Sequence, residues 1–352
     1  MPLENQGTFQ ICIIVQYWIC LTFYYLENYF CSQINEVQFK NVQNYYLVPA
    51  DLKQMLLEIR QGNFRSLARA ITIAENEING YESLLLALQG SHKAKVIGVT
   101  GPPGAGKSTL VNALLRHWLR QNKKIAVIAV DPSSPFNYGA LLGDRIRMSE
   151  FYTNPGIFIR SLATRGALGG LSAKIIEIAD IVKEGPFDLI LVETVGVGQS
   201  EVEIAGLADC TVVTLVPEAG DEVQTLKAGI MEIADIFVVN KADHEEAEVL
   251  YHNLRMLAHN KATETTEIPV IKTVAPAGTG IEELAEAVTN VLKRQADMPE
   301  KKLYLLAEKC WQLIQSARMK GISRKKLKDE LEQAAASDTF NLYAFSKQFF
   351  DK

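Results

Sequence analysis

The run Val96-Ile97-Gly98-Val99-Thr100 is short and apolar, as a buried strand would be. It leads at once into Gly101-Pro102-Pro103-Gly104-Ala105-Gly106-Lys107-Ser108-Thr109, and then into Leu110-Val111-Asn112-Ala113-Leu114-Leu115, which reads as a helix. Strand, glycine turn and helix in this order build a cradle for an anion. The glycines let the backbone turn tightly around phosphate oxygens. The helix start aims free N–H groups at them. Gly101, Gly104, Ala105, Gly106 and Thr109 line the loop, Lys107 brings a mobile positive charge, and Ser108 brings a hydroxyl for Mg²⁺. This is the pattern of a phosphate-binding loop, in which the lysine reaches the β- and γ-phosphates.

Such a loop needs a sheet behind it, and residues 95–274 supply the strands. Val96–Thr100, Ile125–Val130, Asp188–Val192, Thr211–Val216, Ile236–Val239 and Val270–Val274 are mostly continuous apolar runs rather than alternating ones. Strands of that kind are covered on both faces, which predicts a mainly parallel sheet flanked by helices. A run at Gly156–Ile159 is a candidate edge strand. Before the sheet, helical periodicity predicts helices over Ala50–Ile59, through Leu67 to Ile73, and over Tyr81–Leu88. After it, Ile281, Leu284, Ala287, Val288 and Val291 form one helical stripe; Leu303, Leu306, Cys310, Leu313 and Ala317, widened by Trp311 and Ile314, form another. The chain is thus divided into an atypical apolar extension (1–45), an N-terminal helical region (46–93), a nucleotide domain (94–278) and a C-terminal helical region (279–352) expected to dimerise.

The extension carries an apolar, aromatic stretch over Phe9–Tyr25 but no basic segment ahead of it, and the stretch is short for a span. A membrane role is not expected. The formal net charge of -5 argues against a bulk nucleic-acid surface. The five cysteines are scattered, with no Cys-x-x-Cys pair, and the histidines form no ligand motif. A zinc site or disulfide framework is not indicated, and a reducing, cytoplasmic location is the expectation.

The base is named further along. Phe237-Val238-Val239 ends in Asn240-Lys241-Ala242-Asp243. A carboxylate at Asp243 accepts both the N1–H and the 2-amino hydrogens of guanine, whereas adenine would present a lone pair and no amino group. Bidentate base-edge contacts of this type discriminate by about 1–3 kcal/mol. Lys241 can lay its stem along the base, Asn240 can brace the loops, and Ala275 lies in the loop after the last strand. Asp131 and Glu193 end two strands, and ligands bind at the carboxyl ends of parallel strands. Together with Asp144 they are candidates to hold Mg²⁺, directly or through water. Gly196 and Gly198 let the loop after Glu193 approach a γ-phosphate, as a switch requires. For placing a hydrolytic water the sequence offers Gln199, Asp131 and Asp144 without choosing among them. Arg145, Arg147, Arg160 and Arg165 are candidate sources of positive charge.

Longer segments carry a resemblance. Ile128-Ala129-Val130-Asp131-Pro132-Ser133-Ser134-Pro135, Gly139 to Met148, Ile159-Arg160-Ser161, Arg165-Gly166 with Leu168 to Ser172, Glu193-Thr194-Val195-Gly196-Val197-Gly198-Gln199-Ser200-Glu201, Gly220 to Asp235 and Asn240 to Asp243 resemble the methylmalonyl-CoA mutase-associated GTPases, the MeaB or ArgK type. That family was formerly described as a lysine/arginine/ornithine transport-system kinase. The resemblance spans about residues 50–320. It implies an α/β fold with a mainly parallel P-loop NTPase sheet and helical extensions at both ends. It also implies a homodimeric, Mg²⁺-dependent GTPase that binds GTP and GDP with no tightly bound organic cofactor of its own. Its implied partner is an adenosylcobalamin-dependent methylmalonyl-CoA mutase or related acyl-CoA mutase, which it protects and whose cofactor loading it gates. Lys107, Ser108, Asp131, Asp144, Glu193, Asn240, Lys241 and Asp243 match the family's site positions, and Gly220 to Ala228 matches a loop that senses the mutase. Asn137-Tyr138 stands where a small pair is usual, and Val274 stands where a serine is usual. A small-molecule kinase and a metal-insertion GTPase are the alternatives. No acceptor pocket is announced for the first, and no histidine tract or Cys-x-Cys ligand set for the second.

Overall fold

The computed structural model describes residues 49–89, 94–131, 148–163, 174–196, 200–217, 233–261, 268–294, 324–335 and 340–349, with a set of helical positions between 303 and 318. Three helices come first: α1 (Ala50–Arg60), α2 (Phe64–Glu75) and α3 (Tyr81–Leu86). Then strands alternate with helices: β1 (Lys95–Thr100), α4 (Lys107–Arg120), β2 (Ile125–Asp131), β3 (Ile157–Ala163), α5 (Ile175–Lys183), β4 (Leu189–Glu193), α6 (Ser200–Leu207), β5 (Cys210–Leu215), β6 (Ile236–Val239), α7 (Ala247–Lys261), β7 (Val270–Lys272) and α8 (Ile281–Arg294). Beyond these lie α9 (Arg324–Ala335) and α10 (Leu342–Lys347). The apolar extension before residue 46 lies outside the described residues.

The strands form one seven-stranded sheet in the order β3-β2-β4-β1-β5-β6-β7, and every pairing is parallel. The apolar runs divide by parity between the two faces. Val96, Ala126, Ile128, Val130, Ile190 and Val192 join a core under α1, α2 and α5. Ile97, Val99, Ile125, Val127, Leu191, Val212 and Val238 join a second core with α4 and α8. Val213, Leu215, Phe237 and Val239 pack against α7. The inner strands β1, β2, β4, β5 and β6 therefore bury both of their faces, which is why their sequences show no alternation.

Two strand ends differ from expectation. The candidate edge strand is a full strand, β3, continuing through Arg160 and Ser161 to Ala163 in register with β2. β7 stops at Lys272, and Val274 instead bridges back to Thr279, its N–H donating to the Thr279 carbonyl at 3.1 Å.

The amino ends of the strands share one device. Asp209, just before β5, accepts the Val96 N–H at 2.8 Å. Asp235, just before β6, accepts the Thr211 N–H at 2.7 Å. Asp188, just before β4, accepts the Lys124 N–H at 2.8 Å. A carboxylate so placed satisfies a backbone donor at the bottom of the sheet, where the ladder would leave it exposed to desolvation cost. Between the first two carboxylates sits Cys210; burial, with Asp235 and Asp209 nearby, pushes its thiol well up, which leaves it a packing residue rather than a nucleophile.

Ion pairs fasten the N-terminal helices to this scaffold. Buried Glu184, at the end of α5, accepts from Arg60 at the end of α1 (2.7 and 2.8 Å) and from the Gln89 backbone. Arg160 on β3 donates to Glu75 (2.7 Å) and Thr72 (3.3 Å) of α2. Lys174 meets Glu77 at 2.6 Å and the Tyr81 hydroxyl at 3.1 Å. Burial alone would push the Lys174 amine down, but those hydrogen bonds and the charge of Glu177 outweigh it and hold the amine above the usual lysine range. Phe64, Phe158 and Phe187 fill the space between, with ring centroids 5.5–6.3 Å apart.

The aspartate caps differ in burial, and so should their worth. Asp209→Ala strands the fully buried Val96 N–H and should cost about 1–3 kcal/mol in urea unfolding. Asp188→Ala leaves an exposed N–H to water and should stay within about 0.5 kcal/mol. Equal losses at the two positions would contradict the capping account.

Candidate functional site

The carboxyl ends of the parallel strands converge around the loop between β1 and α4. β1 is central, flanked by β4 and β5, so this loop has neighbours on both sides. Lys107 opens α4 and is only 7% exposed. Its ammonium folds back over its own loop and donates to the Gly101 and Pro102 carbonyls at 2.8 and 3.0 Å. Ser108 Oγ donates to Glu193 Oε1 at 2.6 Å, joining the start of α4 to the end of β4. The hydroxyls of Thr100, the last residue of β1, and Thr194, the first residue after β4, share a buried hydrogen bond of 2.9 Å. The loop after Glu193 then passes so close that a Cβ on Gly196 would sit 2.2 Å from the Gly101 carbonyl oxygen and 2.4 Å from Lys107 Nζ; its φ is +85°. Only glycine meets both conditions.

On the other side the organiser is Asn240, 2% exposed at the end of β6. Its Nδ2 donates to the Ala105 carbonyl at 2.9 Å. Its Oδ1 accepts from Thr273 Oγ1 at 3.0 Å and from the Ala275 N–H at 3.4 Å. One amide thereby joins the loop after β1, the end of β6 and the short 3₁₀ turn Ala275–Ala277 after β7. Gly106 answers to the same contact: its φ is +81°, and a Cβ there would lie 2.5 Å from Asn240 Nδ2. The next residue, Lys241, takes a left-handed φ of +54°, and the Ala242 N–H donates to the Thr273 carbonyl at 3.0 Å. Asp243 stands exposed beyond them.

The structure thus gathers Gly101, Gly104, Ala105, Gly106, Lys107, Ser108 and Thr109 with Glu193 on one side and with Asn240, Lys241, Asp243 and Ala275 on the other. Asp131 ends β2, one strand beyond β4; since Ala129 pairs with Glu193, Asp131 stands two residues further out along the sheet. Asp144, Gln199, Arg145, Arg147, Arg165, the pair Asn137-Tyr138 and the segment 220–228 lie outside the described residues. Arg160, expected as a source of positive charge for the site, instead faces α2 and is held by Glu75 and Thr72, so its charge serves the attachment of the N-terminal helices and not the loop. Thr273 was missed. Val274 lacks the hydroxyl of the serine usual at its position, but the hydroxyl that braces Asn240 comes from the residue before it. A threonine directly after the last strand, one residue from the turn, was the available signal. Thr100 and Thr194 were missed for the same reason, since their pairing joins residues far apart in sequence.

The site's oxygen donors suit a hard cation. Ser108 hydroxyl and Glu193 carboxylate are already adjacent, and Mg²⁺ takes a few such protein ligands with water and phosphate rather than a full protein cage. Among the described residues no group of three or more His, Cys, Asp or Glu side chains is arranged to hold a metal by itself. No helix among them is long and apolar enough to cross a membrane.

Comparison with known proteins agrees with this architecture. Residues 67–326 match the family model described as methylmalonyl-CoA mutase-associated GTPase MeaB. A putative GTPase of Pyrococcus horikoshii is 41% identical over 290 residues, covering 80% of this chain and 90% of the relative. The mouse protein named methylmalonic aciduria type A homolog, mitochondrial, is 36% identical over 247 residues, covering 64% of this chain and 59% of its own length. Among solved structures, one described as an LAO/AO transport system kinase superposes with a TM-score of 0.62 at 25% identity, covering 87% of this chain and 99% of that one. With its parallel sheet, its glycine loop braced by Asn240 and a family match over most of its length, the chain belongs to the MeaB family of GTPases.

Proposed function

We propose that this GTPase works as a Mg²⁺-dependent molecular switch that chaperones an adenosylcobalamin-dependent methylmalonyl-CoA mutase or a related acyl-CoA mutase, protecting it and gating its cofactor loading. The carrying observation is the Asn240 amide, which ties the phosphate-type loop to the turn carrying Ala275. A nucleotide with its phosphates on the first and its base on the second spans both. In this reading the backbone around Gly101, Gly104, Ala105, Gly106 and Thr109 cradles the phosphates, and Lys107 exchanges its carbonyl partners for the β- and γ-phosphate oxygens. Asp243 accepts from guanine, with Lys241 and Ala275 against the base. Ser108 and Glu193, with Asp131 and Asp144 nearby in the family pattern, would hold Mg²⁺, which neutralises charge on the phosphates when bound.

Hydrolysis breaks the bond between the γ-phosphorus and the β–γ bridging oxygen, water supplies the new oxygen, and GDP departs with phosphate. The protein's share is positioning and charge stabilisation. Lys107 sits where charge develops, and Gln199, Asp131 and Asp144 remain the candidates for aligning the water. Gly196 lies against Lys107, so the loop after β4 is the element that feels the γ-phosphate come and go.

The mutase assignment is supported by the family description and by the mouse relative's printed name. Homodimerisation is supported by the helical stripe Leu303, Leu306, Trp311, Leu313 and Ile314, whose side chains are 44–59% exposed. In the division proposed, 46–93 is the helical attachment, 94–278 the GTPase domain and 279–352 the dimerising region, in the cytoplasm.

Three outcomes check this reading. Asp243→Ala should weaken GTP binding by about 1–3 kcal/mol and narrow the preference over ATP, measured by competition with a fluorescent nucleotide. Comparable binding of both nucleotides by the unaltered protein would sink the role of Asp243. Lys107→Met should cut GTP turnover by about 10²–10³-fold while leaving a cooperative unfolding transition. Finally, GTP turnover measured alone and with a purified adenosylcobalamin-dependent mutase should differ, with a complex on size exclusion. Neither complex nor rate change would remove the chaperone assignment and leave the GTPase intact.

A further inference from the structure

A groove of about 270 Å³ opens beside the 3₁₀ turn, between the second half of α4 and the start of α8. One wall carries Arg116, His117 and Arg120 of α4; the other carries Pro276 and Ala277 of the turn and Glu282 of α8. Ala275, 1% exposed, forms part of its floor. We propose that this groove binds an acidic peptide segment of a protein partner, and that its occupancy alters nucleotide release through the turn it shares with Asn240.

The charge is the first argument. The chain is acidic overall, at -5, yet this wall presents two arginines and a histidine within two turns of one helix, and of the two cations only Arg116 meets a carboxylate, Glu150, among the described residues. Arg116 is held against Glu150 by Nε at 3.2 Å and Nη2 at 2.5 Å, which orients its guanidinium and leaves further N–H donors. His117 is steadied by Gln121 at 3.0 Å. Arg120 is exposed and has no ion pair among the described residues. Basic residues at a helix carboxyl end relieve its dipole, which accounts for an arginine there but not for a concavity beside it. Carboxylates take arginine's fork bidentately.

Shape and the opposite rim choose the ligand. The volume is below that of ordinary small-molecule sites and suits one or two side chains. Glu282 faces the basic wall and disfavours a phosphate dianion, while a peptide can set a carboxylate on Arg120 and turn a neutral or basic group toward Glu282. The turn supplies the consequence. Its Ala275 N–H reaches Asn240 Oδ1 at 3.4 Å, the longest of the three bonds made by that amide, so pressure on the turn acts on its weakest link. The binding half stands without the base-pocket reading of Ala275; the coupling half rests on it.

The test uses the full chain loaded with a fluorescent guanine nucleotide, and a labelled Glu-Asp-Leu-Glu-Glu peptide with its Gln-Asn-Leu-Gln-Gln counterpart. Anisotropy should show binding of the acidic peptide only, about fivefold to tenfold weaker to Arg120→Glu and tighter to Glu282→Lys. The second variant guards against loss through misfolding, because it must gain affinity. Saturating peptide should change nucleotide release by about threefold or more in the parent and not in Arg120→Glu, whose peptide-free turnover should match the parent. Equal affinity across parent and variants, or equal binding of the neutral peptide, overturns the proposal. So does inorganic phosphate reproducing the effect on release, since the groove is then a small-anion site. Binding without any change in release overturns the coupling half alone, and the Asp243→Ala competition reports separately on the base reading.

Discussion

The Asn240 amide is the constraint on which the rest of the site depends. It is buried, and its donor and acceptor sides are both engaged: Nδ2 on the Ala105 carbonyl, Oδ1 on Thr273 and Ala275. Rotating the amide would face Nδ2 toward the Thr273 hydroxyl and the Ala275 N–H, and would set Oδ1 against a carbonyl oxygen. Each buried polar group left unmatched costs about 1–3 kcal/mol, so the amide holds one orientation and three chain segments hold one arrangement. The arrangement is possible because β5 separates β1 from β6 by a fixed sheet spacing, and because Gly106 leaves room for Nδ2.

The two sides of the central loop are held by different chemistry. Toward β5–β7 the bonds are neutral, buried and mostly to backbone. Toward β4 they involve ions: the Lys107 ammonium on two carbonyls and the Glu193 carboxylate on a hydroxyl. Neutral buried bonds make a fixed frame. A lysine on neutral carbonyls has better partners available in any polyanion, since bonds between opposite charges are roughly twice as strong. In the function proposed, ligand binding on this side is an exchange of partners within a formed site, and Gly196, packed on both Gly101 and Lys107, stands where that exchange would be felt.

Much of this was legible because it is local or periodic. The loop from Gly101 to Ser108 is contiguous, and a strand buried on both faces reads as an unbroken apolar run. Asn240 and Asp243 follow such a run directly. What was not legible depends on pairing across the chain. β3 was expected to be short because Arg160 and Ser161 interrupt its apolar run, yet the strand continues, since Arg160 finds Glu75 and Thr72 on a helix 85 and 88 positions earlier. Thr100 and Thr194 are unremarkable alone and meet only when β1 pairs with β4. The aspartates before β4, β5 and β6 read as strand-edge polar residues, and nothing local says that each caps a neighbour's N–H. The same holds for Thr273, whose hydroxyl gains a meaning only once Asn240 lies beneath it.

The attachment of the N-terminal helices completes the division. Arg160, Lys174 and Glu184 all lie on the β3–α5 side of the sheet, the side toward β2 and β4 whose ends carry Asp131 and Glu193. No comparable ion pair among the described residues joins those helices to β5, β6 or β7. A change in the loop after β4 therefore has the N-terminal helices as its mechanical neighbours, through the shared core of Val192, Ile178 and Leu67. The Asn240 frame, on the other side of β1, belongs to a different core with α4 and α8. One sheet thus keeps apart a half bound by neutral bonds and a half bound by exchangeable ions. The proposed switch needs that separation, because the element that recognises the ligand must stay in place while the element that reports on it moves.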